Sequence, residues 1–258
     1  MKASIIIPVR DLLATTRRCL ESVRRNTAAG HEVLVVDNAS RPSVRDFLRR
    51  RARNGGLRLI RNARNRNFAA AINQGMRLSR GELLVWLNND AAVGPEWLDR
   101  LSACLRRDHR AGAAGPCTND PLSGSGRGRV HAPAAERLDR FAAAWALKFH
   151  GQAETVGRLS GFCLALRRAA FDKVGPLDER FVWGEEDEDY SLRLRRAGYR
   201  LLLARDVFVL HEGGATRNAW GRGRRKVLAD RNRELFRRKW AAGGEFDAEV
   251  REILKDIR

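Results

Sequence analysis

The sequence predicts an α/β fold in which helices cover a mostly parallel central sheet. Three observations carry this prediction. Short apolar runs rich in β-branched residues alternate with segments of helical spacing. Such uninterrupted runs are typical of strands buried on both faces, and their alternation with helices is typical of parallel sheets. Polar residues, among them Asp37 and Asp90, stand where two strands end, and open α/β sheets bind ligands at that edge.

The first half of the chain divides regularly into strands and helices. Continuous apolar runs predict four strands, at residues 4–9, 32–37, 57–61 and 82–87. Apolar residues spaced three and four apart predict helices between them, at 12–26, 44–53 and 68–78. A further helix is expected after Pro95, because proline is tolerated in the first turn of a helix.

The second half of the chain is less regular. Its patterns predict a strand at 161–166, two short apolar runs at 201–204 and 207–210, and helices at 134–149, 187–197, 224–240 and 246–257. Residues 117–133 are rich in Gly, Ser and Arg. We interpret them as a surface loop or as a lid that orders over a substrate.

Composition bounds the class of protein. The 258 residues are enough for one large α/β domain, and 43% hydrophobic with 31% charged residues excludes global disorder. No apolar run approaches the roughly 20 residues that span a bilayer. The opening MKASIIIPVR predicts a strand and not a signal peptide. Four scattered cysteines without metal-ligand spacing predict free thiols and a cytoplasmic protein.

The net charge of +19 is the unusual bulk property. It is compatible with nucleic acid, an anionic membrane surface or a phosphorylated substrate as partner. Residues 217–240 carry ten Arg or Lys against Asp230 and Glu234. This segment is either a solvated basic face or an amphipathic helix that contacts the inner face of an anionic membrane.

Five consecutive acids, residues 185–189, precede a helical pattern. The helix dipole stabilises acids in the first turn by about 0.3–1 kcal/mol each, which accounts for two or three of them. Repulsion among five acids raises the pKa of at least one, as at sites that need a base or bind a cation. The residues alone leave both interpretations open. Trp183, just before the acids, suits stacking on a sugar ring or a place in the core.

Two further signals are weaker. Asp90 ends a strand as a turn residue or as a ligand of a divalent cation, which needs only one or two carboxylates when phosphates complete its coordination. His211 follows the last apolar run, in LHEGG, as a structural residue or a ligand. The small residues of 67–75 suit a phosphate or ribose beside a helix start, or an ordinary packed helix.

Taken in order, six motifs resemble the family 2 glycosyltransferases of the GT-A fold. They are SIIIPVRD, EVLVVDNAS, NRNFAAAINQG, LNND, GEEDEDYSLRLRRAGYR and VFVLHEGGAT. The resemblance implies a GT-A nucleotide-diphospho-sugar transferase fold with added C-terminal helices. It divides the chain into a GT-A domain, 1–218, and a basic helical extension, 219–258. The nucleotide-binding half would be 1–115 and the acceptor and catalytic half 116–218.

The resemblance also implies a donor site for a UDP- or dTDP-sugar. Asp37 would accept a hydrogen bond from the uracil or thymine ring, and Asn88 would face the ribose. The remaining predicted donor-binding residues are Pro8, Arg10, Asn67, Ala71 and Asn89. Asn67 departs from the family's glycine, and we expect it to keep the turn through αL geometry. Asn88 replaces the first Asp of an Asp-x-Asp motif, which weakens the predicted metal affinity.

Catalytic roles follow from the same resemblance. Asp90 and His211 would bind Mg²⁺ or Mn²⁺ at the diphosphate. Asp187 would deprotonate the acceptor hydroxyl, with inversion at the anomeric carbon, and Glu186 is the alternative base. The predicted acceptor-binding residues are Trp183 and Glu185. The acceptor would be a saccharide, a lipid-linked sugar or a protein, in the synthesis of cell-surface polysaccharide or glycoconjugate.

Three other classes remain as alternatives. A nucleic-acid-binding protein would explain the charge, but the acidic cluster repels phosphates and no aromatic RNA-binding signature is present, so no specific nucleic acid is expected. A nucleotidyltransferase would share a nucleotide and a metal site, yet Pro8 and Arg10 stand where its glycine-rich loop belongs. The third alternative is an inactive relative that only binds its ligand.

Overall fold

The computed structural model describes residues 1–120, 134–182, 184–213, 222–242 and 245–255. Its strands are β1 (Ala3–Val9), β2 (Glu32–Asn38), β3 (Arg58–Asn62), β4 (Leu83–Leu87), β5 (Ala91–Val93), β6 (Ala111–Cys117), β7 (Ala153–Val156), β8 (Cys163–Arg167), β9 (Arg200–His211), β10 (Ala241–Ala242) and β11 (Glu245–Phe246). Its helices are α1 (Leu13–Asn26), α2 (Pro42–Arg53), α3 (Phe68–Leu78), α4 (Trp97–Arg107), α5 (Leu138–Lys148), α6 (Arg168–Val174), α7 (Glu186–Arg196), α8 (Arg222–Trp240) and α9 (Ala248–Lys255).

Nine of the described strands form one mixed sheet. Their order is β3-β2-β1-β4-β8-β6-β9-β5, with β7 also paired to β9. The strands β3, β2, β1 and β4 are parallel neighbours, and β6 is parallel to β9. The remaining three, β5, β7 and β8, pair antiparallel. The predicted α/β fold with a central sheet and flanking helices is therefore confirmed, although the sheet is mixed, with four parallel and four antiparallel strand pairs.

Strand β1 shows why its sequence is apolar throughout. Successive side chains of a strand point to opposite faces of the sheet. Ile5 and Ile7 lie in the core cluster that includes α1, α2 and α4, whereas Ile6 lies in the cluster that includes α3. All three side chains are fully buried. Helices on both faces thus require an uninterrupted apolar run.

Helix α3 packs unusually close to the sheet. A Cβ atom on Gly75 would lie 2.3 Å from Cγ2 of Ile6, so only glycine fits at this crossing. Asn73, on the same helix, is fully buried. Its side chain donates to the carbonyl of Leu177 at 2.9 Å and accepts from the amide of Leu177 at 2.8 Å. These contacts fix the loop that leads to the acidic cluster.

Strand β9 differs from the prediction. The two apolar runs expected at 201–204 and 207–210 belong to one strand, interrupted in sequence by Arg205 and Asp206. Asp206 stays within the strand because its carboxylate accepts from the amide of Gly151 at 3.0 Å. Strand β9 brings His211 to its carboxyl end, beside β5. The short strands β5 and β7 were not predicted, because Ala91–Val93 and Ala153–Val156 are too short to show a period.

The C-terminal helices pack on the part of the chain that holds the acidic cluster. Phe236 of α8 and Val250 of α9 form a buried apolar cluster with Phe181 and Leu192. Residues 222–240 form α8, close to the helix predicted at 224–240. No helix of the described chain is both long and apolar enough to cross a membrane. The four cysteines are free thiols.

Candidate active site

The carboxyl ends of β1, β2 and β3 bring the predicted nucleotide residues together. Val9 pairs with Asp37 in the sheet register, and Asp37 pairs with Arg61. The carboxylate of Asp37 is fully buried, accepts from the amide of Ser40 at 2.8 Å, and forms an ion pair with Arg61 at 3.1 Å. Arg61 is a residue that the sequence analysis did not select. Pro8 is half-buried and Arg10 is exposed at the same edge.

Asn67 occupies a strained backbone conformation at the start of α3. Its φ is 67° and its ψ is 176°, which lies in the extended region that strongly favours glycine and not in the predicted αL region. The side chain compensates by accepting from the amide of Ala70 at 2.9 Å and donating to the carbonyl of Glu179 at 3.0 Å. Asn38 also supports this turn, because its side-chain amide donates to the carbonyl of Asn67 at 2.9 Å.

The other residues predicted to bind the nucleotide-sugar lie in different surroundings. Ala71 is fully buried in the apolar cluster beneath α3. Asn89 is buried, and its amide donates to the hydroxyl of Thr16 on α1 at 2.8 Å. Asn88 is half-buried, and its backbone amide donates to the carbonyl of Phe162 at 2.8 Å. Of these three, Asn88 keeps a partly exposed side chain at the edge of the sheet.

Asp90 and His211 form a pair that the sheet register aligns. Strand β5 starts immediately after Asp90, and Ala91 pairs with His211 on β9. The amide of Glu212 donates to the carbonyl of Asp90 at 2.9 Å, which closes the ladder. As a result, Nε2 of His211 lies 3.2 Å from Oδ1 of Asp90, and both side chains are almost buried. Two residues 121 positions apart in sequence are thus held by backbone pairing.

His211 is also held from its other side. Its Nδ1 lies 3.3 Å from Oδ2 of Asp120, and its ring stacks on Phe162 with centroids 4.8 Å apart. Asn119 bonds the backbone of His211 twice, accepting at 2.8 Å and donating at 2.9 Å. Burial lowers the pKa of His211, but hydrogen bonds and charges from Asp120 and Asp90 outweigh it and raise the pKa to about 9.

The pair has the chemistry and spacing of two cation ligands. Adjacent ligands of an octahedral Mg²⁺ or Mn²⁺ ion lie about 3 Å apart, close to the 3.2 Å between Oδ1 of Asp90 and Nε2 of His211. Among the described residues no group of three or more His, Cys, Asp or Glu could hold a metal ion. Diphosphate oxygens and water would therefore have to complete the coordination, so the residues fit a cation that arrives with a nucleotide.

The five acids divide into different environments. Asp187 is half-buried, and its Oδ2 accepts from the amide of Gly161 at 2.8 Å. Glu188 is buried beside Arg158, with 3.4 Å between Oε1 and the guanidinium nitrogen. Asp189 is fully buried and forms an ion pair with Arg193 at 3.0 Å. Asp189 and Glu188 therefore hold the fold together, and Asp187 keeps access to solvent.

The remaining acids titrate abnormally. Burial, followed by the charge of Asp187, raises the pKa of Glu185 to about 7. The same two causes, in the same order, raise the pKa of Glu186 well above its usual range. Oε2 of Glu186 is buried and has no hydrogen-bond partner among the described residues. Burial also raises the pKa of Glu188. The predicted repulsion within the cluster is thus combined with a larger effect of burial.

A two-residue segment before β8 joins the acidic cluster to the Asp90–His211 pair. Gly161 donates to Asp187, while the next residue, Phe162, stacks on His211 and accepts from the amide of Asn88. The predicted base, metal and ribose residues therefore lie around one short stretch of backbone. Such an arrangement can hold a diphosphate, a cation and an acceptor hydroxyl side by side.

Some predicted features lie outside the described residues. They are Trp183, the expected sugar-stacking residue, and residues 121–133 of the predicted loop or lid. Asp120 and Arg61 were missed because each is a single charged residue without a motif of its own. The signal for Arg61 was its position at the end of a predicted strand beside Asp37. Asp120 carried no usable signal, since its partner His211 is 91 residues away.

The chain is similar in sequence to known proteins. Residues 4–175 match the model of Glycosyl transferase family 2. An N-acetylglucosaminyl-diphospho-decaprenol L-rhamnosyltransferase of Mycobacterium tuberculosis is 32% identical over 218 residues, which are 75% of this chain and 70% of that protein. The O-antigen biosynthesis protein RfbC of Myxococcus xanthus is 30% identical over 84% of this chain. The chain spans only 18% of RfbC and 27% of a Sinorhizobium fredii relative.

Solved structures show the same fold. GalNAc-T7 with UDP, GalNAc and Mn²⁺ has a TM-score of 0.64 at 20% identity, over 81% of this chain and 43% of that one. The mannosyltransferase PcManGT of Pyrobaculum calidifontis, with GDP-Man and Mn²⁺, has a TM-score of 0.60 at 20% identity, over 81% and 56%. Both are glycosyltransferases, and the fold shared with them is the GT-A fold. The chain belongs to Glycosyl transferase family 2.

Proposed function

We propose that this protein is an inverting, cation-dependent glycosyltransferase that moves a hexosyl or deoxyhexosyl group from a UDP- or dTDP-sugar to an acceptor hydroxyl. The observation that carries the proposal is the segment Gly161–Phe162. Its first residue bonds Asp187 and its second stacks on His211. A base and a diphosphate site held so close together suit transfer from a nucleotide-sugar to a hydroxyl.

The chemistry assigned to the chain is one proton transfer coupled to one displacement. Asp187 takes the proton of the acceptor hydroxyl, and the freed oxygen attacks the anomeric carbon. The bond between that carbon and the diphosphate breaks, and its electron pair leaves with the diphosphate. A single displacement inverts the anomeric configuration. The amide of Gly161, which donates to Oδ2 at 2.8 Å, orients the carboxylate for this task.

Asp90 and His211 are the residues assigned to the cation. When bound, Mg²⁺ or Mn²⁺ supplies Lewis-acid stabilisation of the leaving diphosphate. Asp37, with Arg61 beside it, is assigned to the base of the nucleotide, and Asn88 to its ribose. The ion pair at 3.1 Å with the partly exposed Arg61 holds the buried Asp37 carboxylate in one orientation before any ligand binds. Uridine and thymidine both offer a ring N–H to such a carboxylate.

The donor can be found by thermal shift. We expect UDP- and dTDP-sugars to raise Tm more in the presence of Mn²⁺ than with a chelator, and GDP- and CMP-sugars to raise it less. The product of the best donor should then have the inverted anomeric configuration by NMR. A retained configuration would exclude the proposed single displacement. Equal shifts with and without Mn²⁺ would exclude the cation from donor binding.

For the acceptor we propose a lipid-linked or polysaccharide sugar in cell-surface polysaccharide synthesis. Support comes from the relatives, one named for a diphospho-decaprenol acceptor and one for O-antigen biosynthesis.

We also propose a cytoplasmic protein with peripheral contact at the membrane. The outward face of α8 carries exposed arginines at positions 231, 233, 237 and 238, and basic helices bind anionic lipid surfaces.

Vesicle sedimentation tests the proposed membrane contact of α8. Phosphatidylglycerol in phosphatidylcholine vesicles should increase binding at low salt, and replacing the four arginines with serine should reverse the increase. Equal binding to neutral and anionic vesicles would exclude membrane contact through α8. Transfer to a soluble acceptor analogue should persist after the four substitutions, because Asp187 keeps its hydrogen bond to Gly161. Of the four arginines, Arg233 acts on the acidic cluster, since its charge lowers the pKa of Glu185.

A further inference from the structure

Helix α8 holds the loop that carries Asp187. This base loop comprises residues 178–182 and 184–185 together with the first turn of α7, residues 186–189. Lys239 of α8 contacts both ends of it, because Nζ lies 2.8 Å from Oδ2 of Asp178 and 2.7 Å from Oδ1 of Asp189. One ammonium group therefore joins two carboxylates that enclose the loop. The side chain of Asp189 is fully buried, whereas those of Asp178 and Lys239 are 13% and 23% exposed.

Two further contacts from α8 reach the same loop. Nε1 of Trp240 donates to Oδ1 of Asp189 at 2.9 Å. The side-chain amide of Asn232 donates to the carbonyl of Gly184 at 2.9 Å and also bonds the carboxylate of Glu185. The helix is thus attached at the middle of the base loop as well as at its ends.

The middle of the loop needs such support. Gly184 has a φ of 92° and Glu185 a φ of 62°, immediately before α7 begins at Glu186. A positive φ is unfavourable for a residue with a side chain and persists only where surrounding contacts impose it. Asn232 bonds both residues at this point. Asp187 lies two residues further on, so the position of its carboxylate depends on this conformation.

The attachment of α8 itself does not depend on these polar contacts. Phe236 packs against Phe181, with ring centroids 6.5 Å apart, and both belong to a buried cluster with Leu192 and Val250. Removing a polar group of α8 therefore leaves its apolar face in place. The polar contacts and the apolar face can be tested separately.

We infer that Asn232 and Lys239 are positioning residues that hold Asp187 in its catalytic orientation. This inference rests on the proposed function, in which Asp187 is the base. A displacement of about 1 Å can cost an enzyme roughly 100-fold in rate without touching the chemistry. Loss of either contact should therefore slow transfer while the donor site, at the other side of the Gly161–Phe162 segment, binds as before.

The test uses the variants Asn232→Ala and Lys239→Met, with Lys226→Met as a matched control on the exposed side of α8. We expect kcat to fall roughly 10- to 100-fold in the first two, with the donor Kd unchanged and Lys239→Arg recovering part of the loss. Amides of residues 184–189 should exchange hydrogen faster than in the parent protein. Lys226→Met should match the parent in all three measurements.

Two results would overturn the inference. One is a parental kcat and parental exchange in both variants. The other is a joint loss of donor affinity, Tm and kcat that Lys239→Arg does not relieve, since that indicates a merely structural role. Asp187→Asn separates this inference from the proposed function. If it retains turnover, the assignment of the base is wrong; if it is inactive while the α8 variants are normal, only the role of α8 is wrong.

Discussion

The ring of Phe162 lies almost parallel to the imidazole of His211, with an interplanar angle of 20°. Because Gly161 bonds Asp187, the peptide that orients the imidazole also orients the proposed base. Strand β8 follows directly, between β4 and β6 in the sheet. The two halves of the site are therefore fixed by the middle of the sheet and not by a surface loop.

Replacing Asp187 with Asn should remove the base and little else. The amide oxygen of Asn can still accept from Gly161, so we expect the loop to keep its conformation. General base catalysis contributes about 10²- to 10⁴-fold, and kcat should fall within that range. Steady-state transfer assays and calorimetry of nucleoside diphosphate binding measure the two effects. Turnover near that of the parent would assign the base elsewhere, with Glu186 next to be tested.

Asp90→Ala should weaken binding of the nucleoside diphosphate only when Mn²⁺ is present. The substitution removes one of the two assigned ligands and leaves His211 without its partner at 3.2 Å. Calorimetric titrations with Mn²⁺ and with a chelator give the comparison. Asp46→Ala, at a half-exposed acid on α2, is the control. Identical affinities for the parent and Asp90→Ala in Mn²⁺ would contradict the assignment.

Asp120 should matter for the metal without binding it. Carboxylates that accept from one nitrogen of a histidine orient the other nitrogen toward a metal, and their loss costs about 10- to 100-fold in metal affinity. We expect a loss of this size in Asp120→Ala and a smaller one in Asp120→Asn, which can still accept from Nδ1. The readout is the Mn²⁺ titration in the presence of nucleoside diphosphate. Equal affinities in all three proteins would show that His211 needs no such support.

Glu185→Gln should change how stability depends on pH. Folding raises the pKa of Glu185 from 4.5 to about 7, so the folded state holds a proton that the unfolded state has released. The stability from that proton is complete below pH 4.5 and is lost as pH rises through 7. Glutamine cannot ionise and avoids the loss. The Tm of Glu185→Gln minus the Tm of the parent protein should therefore be at least about 2 °C larger at pH 8 than at pH 5.

The exposed acid Glu21, on α1, provides the control for this titration. Glu21→Gln should keep the same difference from the parent at both pH values. A pH-independent difference for Glu185→Gln as well would show that Glu185 ionises in the folded protein as it does in the unfolded chain. All measurements belong in metal-free buffer, because a bound cation would add its own pH dependence.

Gly75→Ala should destabilise the fold without changing any residue of the candidate site. The new methyl group would lie 2.3 Å from Cγ2 of Ile6, and α3 or β1 would have to move. Overpacking of this kind costs about 1–3 kcal/mol. Denaturant titration should detect it as a lower midpoint with an unchanged slope. Gly56→Ala is the matched change, because its nearest neighbour would be 3.8 Å away, and it should leave the midpoint unaltered or raise it.

The sequence was most informative where a short pattern determines a local structure. The apolar run of β1 predicted a strand buried on both faces. The small residues of α3 left a phosphate or ribose site and an ordinary packed helix open, and the structure shows that Gly75 packs closely on Ile6. Residues that act through distant partners were not predictable. Asp120 meets His211 only because β9 and the end of β6 are neighbours, and Lys239 meets Asp178 only because α8 folds back.

In the acidic cluster too, the local pattern was predictable and the distant partners were not. Its pattern predicted a helix start and abnormal titration. In the structure α7 begins at Glu186, and the pKa values of Glu185, Glu186 and Glu188 are raised. Repulsion could be foreseen from five adjacent charges. Burial could not, because it depends on which of the five faces Arg158, Arg193 or α8. Asp189 looks like its neighbours in sequence, yet it is fully buried among three partners.

The pairing of β5 with β9 has a practical consequence for redesign. Backbone hydrogen bonds, not side-chain contacts, set the separation of positions 90 and 211. A different donor atom can therefore be introduced at either position while the scaffold keeps its shape. Histidine and aspartate favour different cations. Under the proposed function, replacing one of the two side chains should therefore change which cation the site prefers.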